Sequence, residues 1–161
     1  RVAAARRGWT DGFTVAARIR EYALATVRGR SPTECEALRE SATSAVANLA
    51  HAPKAVCSIL EQRLAAVAAG TVNPDVAANE AALRLLCIRA ELISGAPTPP
   101  EDLELRREYQ MRRLVESMGH GERVTPAALD DLALEWIAIG PVEPAVHDAL
   151  LARFERCRTA R

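Results

Sequence analysis

Three histidines are the side chains of this 161-residue chain best placed to move protons near neutral pH, and their settings differ. His120 stands between Gly119 and Gly121 beside Glu122, where a turn would expose it. A general base there also needs an orienting partner and a reacting group, and the neighbouring sequence supplies neither, so a solvent-facing loop histidine is expected. His147 precedes Asp148, but neighbours on a helix point about 100° apart, so no preformed dyad is expected of them. His51 falls in a turn. Cys35, Cys57, Cys87 and Cys157 are scattered, with no C-x-x-C pair and no histidine at zinc-finger spacing. They are expected to be reduced thiols packed as small apolar side chains, as a reducing cytoplasm would keep them. Glu104 and Glu108 form an acidic four-residue pair surrounded by arginines, and no E-x-x-H accompanies it to suggest a di-iron centre. Phosphate-loop, dinucleotide, H-E-x-x-H and nucleophile-elbow motifs are absent. The residues therefore nominate no catalytic, cofactor-binding or metal site, and the chain reads as a non-enzyme.

Arginine is the remaining functional candidate. Basic and acidic residues balance at 21 each, but residues 1–30 hold seven arginines against Asp11 and Glu21, leaving that segment at +5 and the remainder at −5. Arg6, Arg7, Arg18 and Arg20 could line a positive stripe that contacts phosphates, with Trp9 or Phe13 available to stack on bases. No helix-turn-helix pairing accompanies them. The preferred expectation is an arginine face packed against an acidic surface of the same chain or of a neighbouring repeat. A balanced net charge also gives no field to hold the protein on an anionic membrane. The longest stretches without formal charge, 41–53 and 64–74, fall short of the roughly 20 apolar residues of a membrane span.

The elements that must position these residues are all helices. Alanine-rich composition, 49% apolar with only 4% aromatic residues, favours close helix packing over sheets. Pro32, Pro53, Pro74, Pro99, Pro126 and Pro144 each stand ahead of a run of helix formers. Ser31, Asn73, Thr98 and Thr125 precede four of them as capping residues, with Ser31–Glu34 and Thr98–Glu101 reading as capping boxes. A first helix is expected from Thr10 or Asp11 to Gly29. The second carries Cys35, Leu38, Ala42, Ala45 and Leu49 on one stripe, and the third carries Val56, Ile59, Leu60, Leu64 and Val67. The fourth is apolar nearly all round over 83–93, as a central helix would be.

The fifth is expected to turn Met111, Leu114, Val115 and Met118 inward and to pair Asp102 with Arg106 and Glu108 with Arg112 on its outer side. The sixth should bury Leu129, Leu132, Ala133, Trp136 and Ile137, and end at Gly140-Pro141 through a left-handed glycine. The seventh, from about Pro144 to Cys157, should bury Val146, Leu150, Phe154 and Cys157. The expected fold is all-α, about seven helices in antiparallel hairpins forming a bundle or short solenoid, within one unit spanning residues 1–161.

The run Glu135–Val142, with Trp136, Gly140 and Pro141, followed by Ala149–Phe154, with Arg153 and Phe154, resembles the bacterial domain-of-unknown-function 349 repeat. That family places a tryptophan at a helix end, then a Gly-Pro turn, then an Arg-Phe pair in the next helix. Residues 86–93, a proline-rich loop and residues 105–114 extend the likeness to about 83–157. Ile137 and Leu151 stand where the family usually has a lysine and a second aromatic residue, and residues 1–80 resemble nothing identified. The resemblance implies a helical, cytoplasmic bacterial protein, the tail of a longer repeat array, with no catalytic residues to carry over. A chain that opens on arginine is expected to be part of a longer one. The expected function is a helical scaffold that binds a protein partner, with nucleic-acid binding through the arginine-rich first helix as the alternative.

Overall fold

The computed structural model describes residues 1–117 and 127–160, and the helices in it follow from the sequence punctuation with instructive exceptions. Seven α-helices occur among the described residues: α1 (Val2–Val27), α2 (Pro32–Ala47), α3 (Lys54–Ala69), α4 (Val76–Ser94), α5 (Leu103–Ser117), α6 (Ala127–Ala138) and α7 (Pro144–Thr159). A 3-10 turn at Pro100–Asp102 precedes α5.

Pro32 and Pro144 occupy first-turn positions, where their missing N–H costs nothing. Ser31 Oγ accepts from the Glu34 N–H at 3.2 Å, as a capping residue should. Two expected caps move. The cap of α4 is Asp75, whose Oδ1 accepts from the Ala78 N–H at 3.0 Å, while Asn73 instead accepts from the Asp75 N–H. Thr98 caps nothing: its hydroxyl donates to the buried carboxylate of Glu91 at 2.6 Å, a charge-assisted bond stronger than a neutral cap. The expected cap at Thr125-Pro126 lies outside the described residues.

α1 begins at Val2, well before the expected Thr10, because Ala3-Ala4-Ala5-Arg6-Arg7 are strong helix formers and Gly8 does not interrupt them. Gly8 is required for packing. A Cβ there would stand 2.2 Å from the backbone oxygen of His51, so the glycine lets the α2–α3 turn lie directly on α1. Gly140 also works by proximity and not, as expected, through a left-handed backbone: among the described residues the positive-φ glycines are Gly29, Gly70 and Gly95. A Cβ on Gly140 would meet Asn79 Nδ2 at 2.8 Å, and that amide donates to Asn73 O and Pro141 O. The buried Asn79 thus ties the α3–α4 connection to the α6–α7 turn.

The helices form a bundle, with packing between sequence neighbours joined by packing between distant elements. α1 lies along α2 and α3, α4 lies along α7, and α6 contacts α1, α3 and α4, joining the two groups. The core is continuous through Phe13, Ile19, Val56, Leu60, Leu83, Leu86, Trp136 and Phe154. Trp136 and Phe154 stack with ring centroids 4.7 Å apart, and Phe154 meets Phe13 edge-on at 6.3 Å. The expected inward faces of α3, α6 and α7 are the observed ones; that of α5 is not. No helix among the described residues is long and apolar enough to cross a membrane.

Candidate functional site

Four arginines carried the alternative expectation of a nucleic-acid contact, and the fold does not present them together. Arg6, Arg7 and Arg18 are exposed on α1, and Arg18 donates to Ser41 Oγ at 3.0 Å. Exposed Arg7, Asp11, Arg18 and Glu21 recur along one side of α1, so its surface alternates in sign.

Arg20 departs from the expected surface role: it is only 5% exposed. Its Nε donates to Ile139 O at 3.1 Å, and its Nη2 donates to Trp136 O. These are carbonyls at the C-terminal end of α6, where the helix dipole favours a cation. Burial, with Arg63 adding like-charge repulsion, draws its pKa down to about 9, which leaves it charged at neutral pH. Arg20 Nη1 lies 3.3 Å from His147 Nε2. Guanidinium can only donate, so this ring nitrogen is the acceptor and the proton of neutral His147 sits on Nδ1, 3.3 Å from Asp148 Oδ1. The adjacent His147 and Asp148 therefore do touch, contrary to the sequence expectation, because the exposed Asp148 side chain can bend back across the first turn of α7. Burial, and next the Arg20 charge, hold His147 below its ordinary pKa against the pull of Asp148. A cleft of about 270 Å³ beside them is lined by Arg18, Arg20, Glu21, His147 and Asp148, a charge-balanced set. His120 lies outside the described residues, and His51 is an exposed turn residue whose backbone faces Gly8.

A second polar cluster, not anticipated from sequence, explains Arg153. Its Nε and Nη2 donate to Glu91 at 2.5 and 3.1 Å, and its Nη1 donates to Asp102 at 2.5 Å. Arg84 approaches Asp102 at 3.4 Å and pairs with Glu80 at 2.9 Å. Burial would depress the Arg153 pKa, but the hydrogen bonds from Glu91 and Asp102 together outweigh it and hold the pKa above the ordinary value. Asp102 is thus committed to Arg153 and Arg84 and not, as expected, to Arg106. Arg106 reaches back to Thr98 Oγ1 at 2.8 Å and Ala96 O at 3.3 Å. The one sequence signal for this cluster was Glu91 itself, a carboxylate inside the apolar run of α4, which burial obliges to find a partner.

The cysteines are free thiols. Burial pushes Cys87 up to about 12 and raises Cys157 as well, so neither is poised as a thiolate. No group of three or more histidine, cysteine or acidic side chains among the described residues is arranged to hold a metal.

The ion cluster fixes which way α5 faces. Arg106, anchored on Thr98 and Ala96, shares its side of the helix with half-buried Leu105, Tyr109, Arg113 and Ser117. The opposite side carries Leu103, Met111, Leu114 and Val115, exposed at 50, 58, 67 and 67%. The expectation that Met111, Leu114 and Val115 point inward is therefore reversed; Met118 lies outside the described residues. No residue of α5 is buried. Glu108 and Arg112, expected to pair, are both exposed and form no ion pair with each other among the described residues; Glu104 and Arg107 pair instead, at 3.2 Å. The outer side of α5 thus exposes four large apolar side chains with the Glu104–Arg107 ion pair standing among them.

No family model, curated protein or solved structure matches the chain, so the likeness of residues 83–157 to the domain-of-unknown-function 349 repeat rests on the residues quoted for it alone.

Proposed function

We propose that this chain is a non-enzymatic helical interaction module that docks a protein through the outer face of α5. The observation that carries the reading is the exposure of Leu103, Met111, Leu114 and Val115 on one face of a helix whose other side is already anchored. Four large exposed apolar side chains on one helix face, with the charged Glu104 and Arg107 among them, are the mixed surface on which a partner finds both apolar anchors and polar contacts. The polar clusters support the same reading. Arg153, Glu91, Asp102 and Arg20 find their partners within the bundle and act as struts between helices. The likeness to the helical repeat family agrees with a scaffold and brings no activity with it.

The test is affinity capture from the native lysate with wild-type chain and with Leu114→Glu/Val115→Glu, each with and without nuclease. Both sites are exposed, so the double variant should keep the wild-type melting temperature, surface changes usually costing less than about 0.5 kcal/mol each. A protein retained by wild type after nuclease and lost by the variant supports docking on α5. Identical capture by both chains rejects it, and binding that nuclease removes from both returns the role to Arg6, Arg7 and Arg18.

A further inference from the structure

Arginines that pack into this bundle usually bring a carboxylate with them. Arg39 with Glu36, Arg84 with Glu80, Arg107 with Glu104 and Arg158 with Glu155 each take an acid three or four places along the same helix, and Arg153 reaches Glu91 and Asp102 on other elements. Arg20 on α1 and Arg63 on α3 have no such choice, because every position three or four places from either of them is aliphatic. Half-buried Arg63 forms no ion pair and no hydrogen bond among the described residues. The partners of Arg20 are two backbone carbonyls and a neutral imidazole, none of which carries a full charge.

The fold brings these two arginines to one hollow between α1, α3 and the end of α6. Among the described residues they are its only charged lining; the rest is aliphatic or glycine, including Ala16, Ile19, Val67 and Ile137. The carbonyl end of α6 contributes about half a negative charge, which against two guanidiniums leaves the site about 1.5 charges positive. Apolar walls strengthen that field, since little solvent stands between the charges to screen it. The consequence shows in the arginines themselves. Burial, with repulsion from Arg63, draws Arg20 down to about 9, and burial lowers Arg63, whereas the two carboxylates beside Arg153 hold it above its ordinary value. We infer that Arg20 and Arg63 together bind a small monovalent inorganic anion, of which chloride is the abundant example.

Size and donor count select this class. The hollow leaves about 10 Å³ for the centre of a water-sized occupant, the room of a single water. Chloride is little larger than water, and the partly exposed Arg63 side chain can adjust to the difference; phosphate, with its four oxygens, does not fit. Of the five N–H donors on Arg20, three are directed to Ile139 O, Trp136 O and His147 Nε2, which leaves two, and all five of Arg63 are uncommitted. An anion between them gains charge-assisted hydrogen bonds from both sides and relieves the repulsion that joins them. The site shares no residue with the exposed face of α5, so the two readings stand or fall separately.

The test is the melting temperature of the whole chain as sodium chloride replaces sodium gluconate, an anion too large for the hollow, at constant ionic strength. For one site above its dissociation constant, each tenfold rise in chloride should raise the folded-to-unfolded ratio about tenfold, a melting-temperature rise of roughly 3–6 °C for a chain of this size. Arg63→Gln should lose that response, while Arg6→Gln, which removes an exposed arginine of α1, should keep it. General effects of exchanging the salts are common to the three proteins and cancel in the comparison. Bromide, located by its anomalous scattering in crystals grown from sodium bromide, should lie within hydrogen-bond reach of both Arg20 and Arg63. Equal responses in wild type and Arg63→Gln, a response lost as fully in Arg6→Gln, or no bromide between the two arginines overturns the inference. A bromide there without an Arg63-dependent response in solution is an adventitious ion only, and overturns it as well.

Discussion

At the scale of single residues, the most consequential decision in this fold is the burial of Arg20 without a carboxylate. Its charge is answered by the carbonyl oxygens of Trp136 and Ile139 and by the ring of His147, and that arrangement works only while His147 is neutral. The groups facing the ring are Arg20 from α1 and Asp148 from its own helix, with Arg18 and Glu21 across the cleft. A histidine whose folded pKa lies below the unfolded value of about 6.5 binds fewer protons when folded. Its contribution to stability is complete above about pH 6.5 and is lost as pH falls through the interval down to the folded pKa. The melting temperature of the wild type should therefore drop between about pH 7.5 and 5.5. In His147→Gln, whose amide oxygen can still accept from Arg20, the profile should be flatter over that interval; equal slopes in the two proteins would show that His147 is not the titrating group. None of this was visible in the sequence, where Arg20 was one of seven arginines in a basic segment. Charge counts do not say which side chain a neighbouring helix end will cover. Glu91 was more legible, since a lone carboxylate in an apolar run implies an unseen cation, and that cation is Arg153.

At the scale of elements, the sequence announced most helix starts and inward faces, and it failed where a contact from another element outranked the local signal. Gly8 is the clearest case. Within a helix, glycine to alanine should gain about 1 kcal/mol from propensity alone. Here the added Cβ, fixed on Cα, would meet His51 O at 2.2 Å, and that oxygen belongs to backbone, which cannot rotate away. α1 and the α2–α3 turn must separate, at a cost that overpacking puts at about 1–3 kcal/mol or more, so the net sign reverses. Gly8→Ala should therefore lower the denaturation midpoint, and a rise instead would show that the α1 contact with the His51 turn is loose. α5 teaches the complementary lesson. Its periodicity correctly identified an apolar face, but periodicity cannot say whether the chain itself or another molecule covers that face. That the chain itself leaves the face open follows from Arg106 and Thr98, whose hydrogen bond turns the other side of α5 toward the bundle.

At the scale of the whole molecule, the question is whether the α1–α2–α3 group and the α4–α7 group fold as one. Packed aromatic rings and a cation bridge them. Phe154 on α7 stacks on Trp136 of α6 and meets Phe13 of α1 edge-on. Arg158, one turn further along α7, lies over Trp9 at 4.7 Å and over Phe13 at 5.4 Å, which adds a cation–π attraction between the first and last helices. Because Phe154 is fully buried at this junction, Phe154→Ala should cost about 3–5 kcal/mol, a large share of the stability of a domain this size. The informative measurement is where that loss appears. Trp136 and Trp9 are the two tryptophans, and the buried Nε1 of Trp136 has no hydrogen-bond partner among the described residues. Trp136→Phe thus gives up ring volume but also removes an unpaired donor, so it should leave a folded protein in which Trp9 alone reports on α1. In that background, Phe154→Ala should shift the Trp9 emission transition and the far-ultraviolet helix transition together, because a change on α7 reaches α1 through Phe13 and Arg158. A Trp9 transition that stays in place while the helix signal divides into two steps would mean that the two groups unfold separately, and that the aromatic junction joins two domains where a single core is expected.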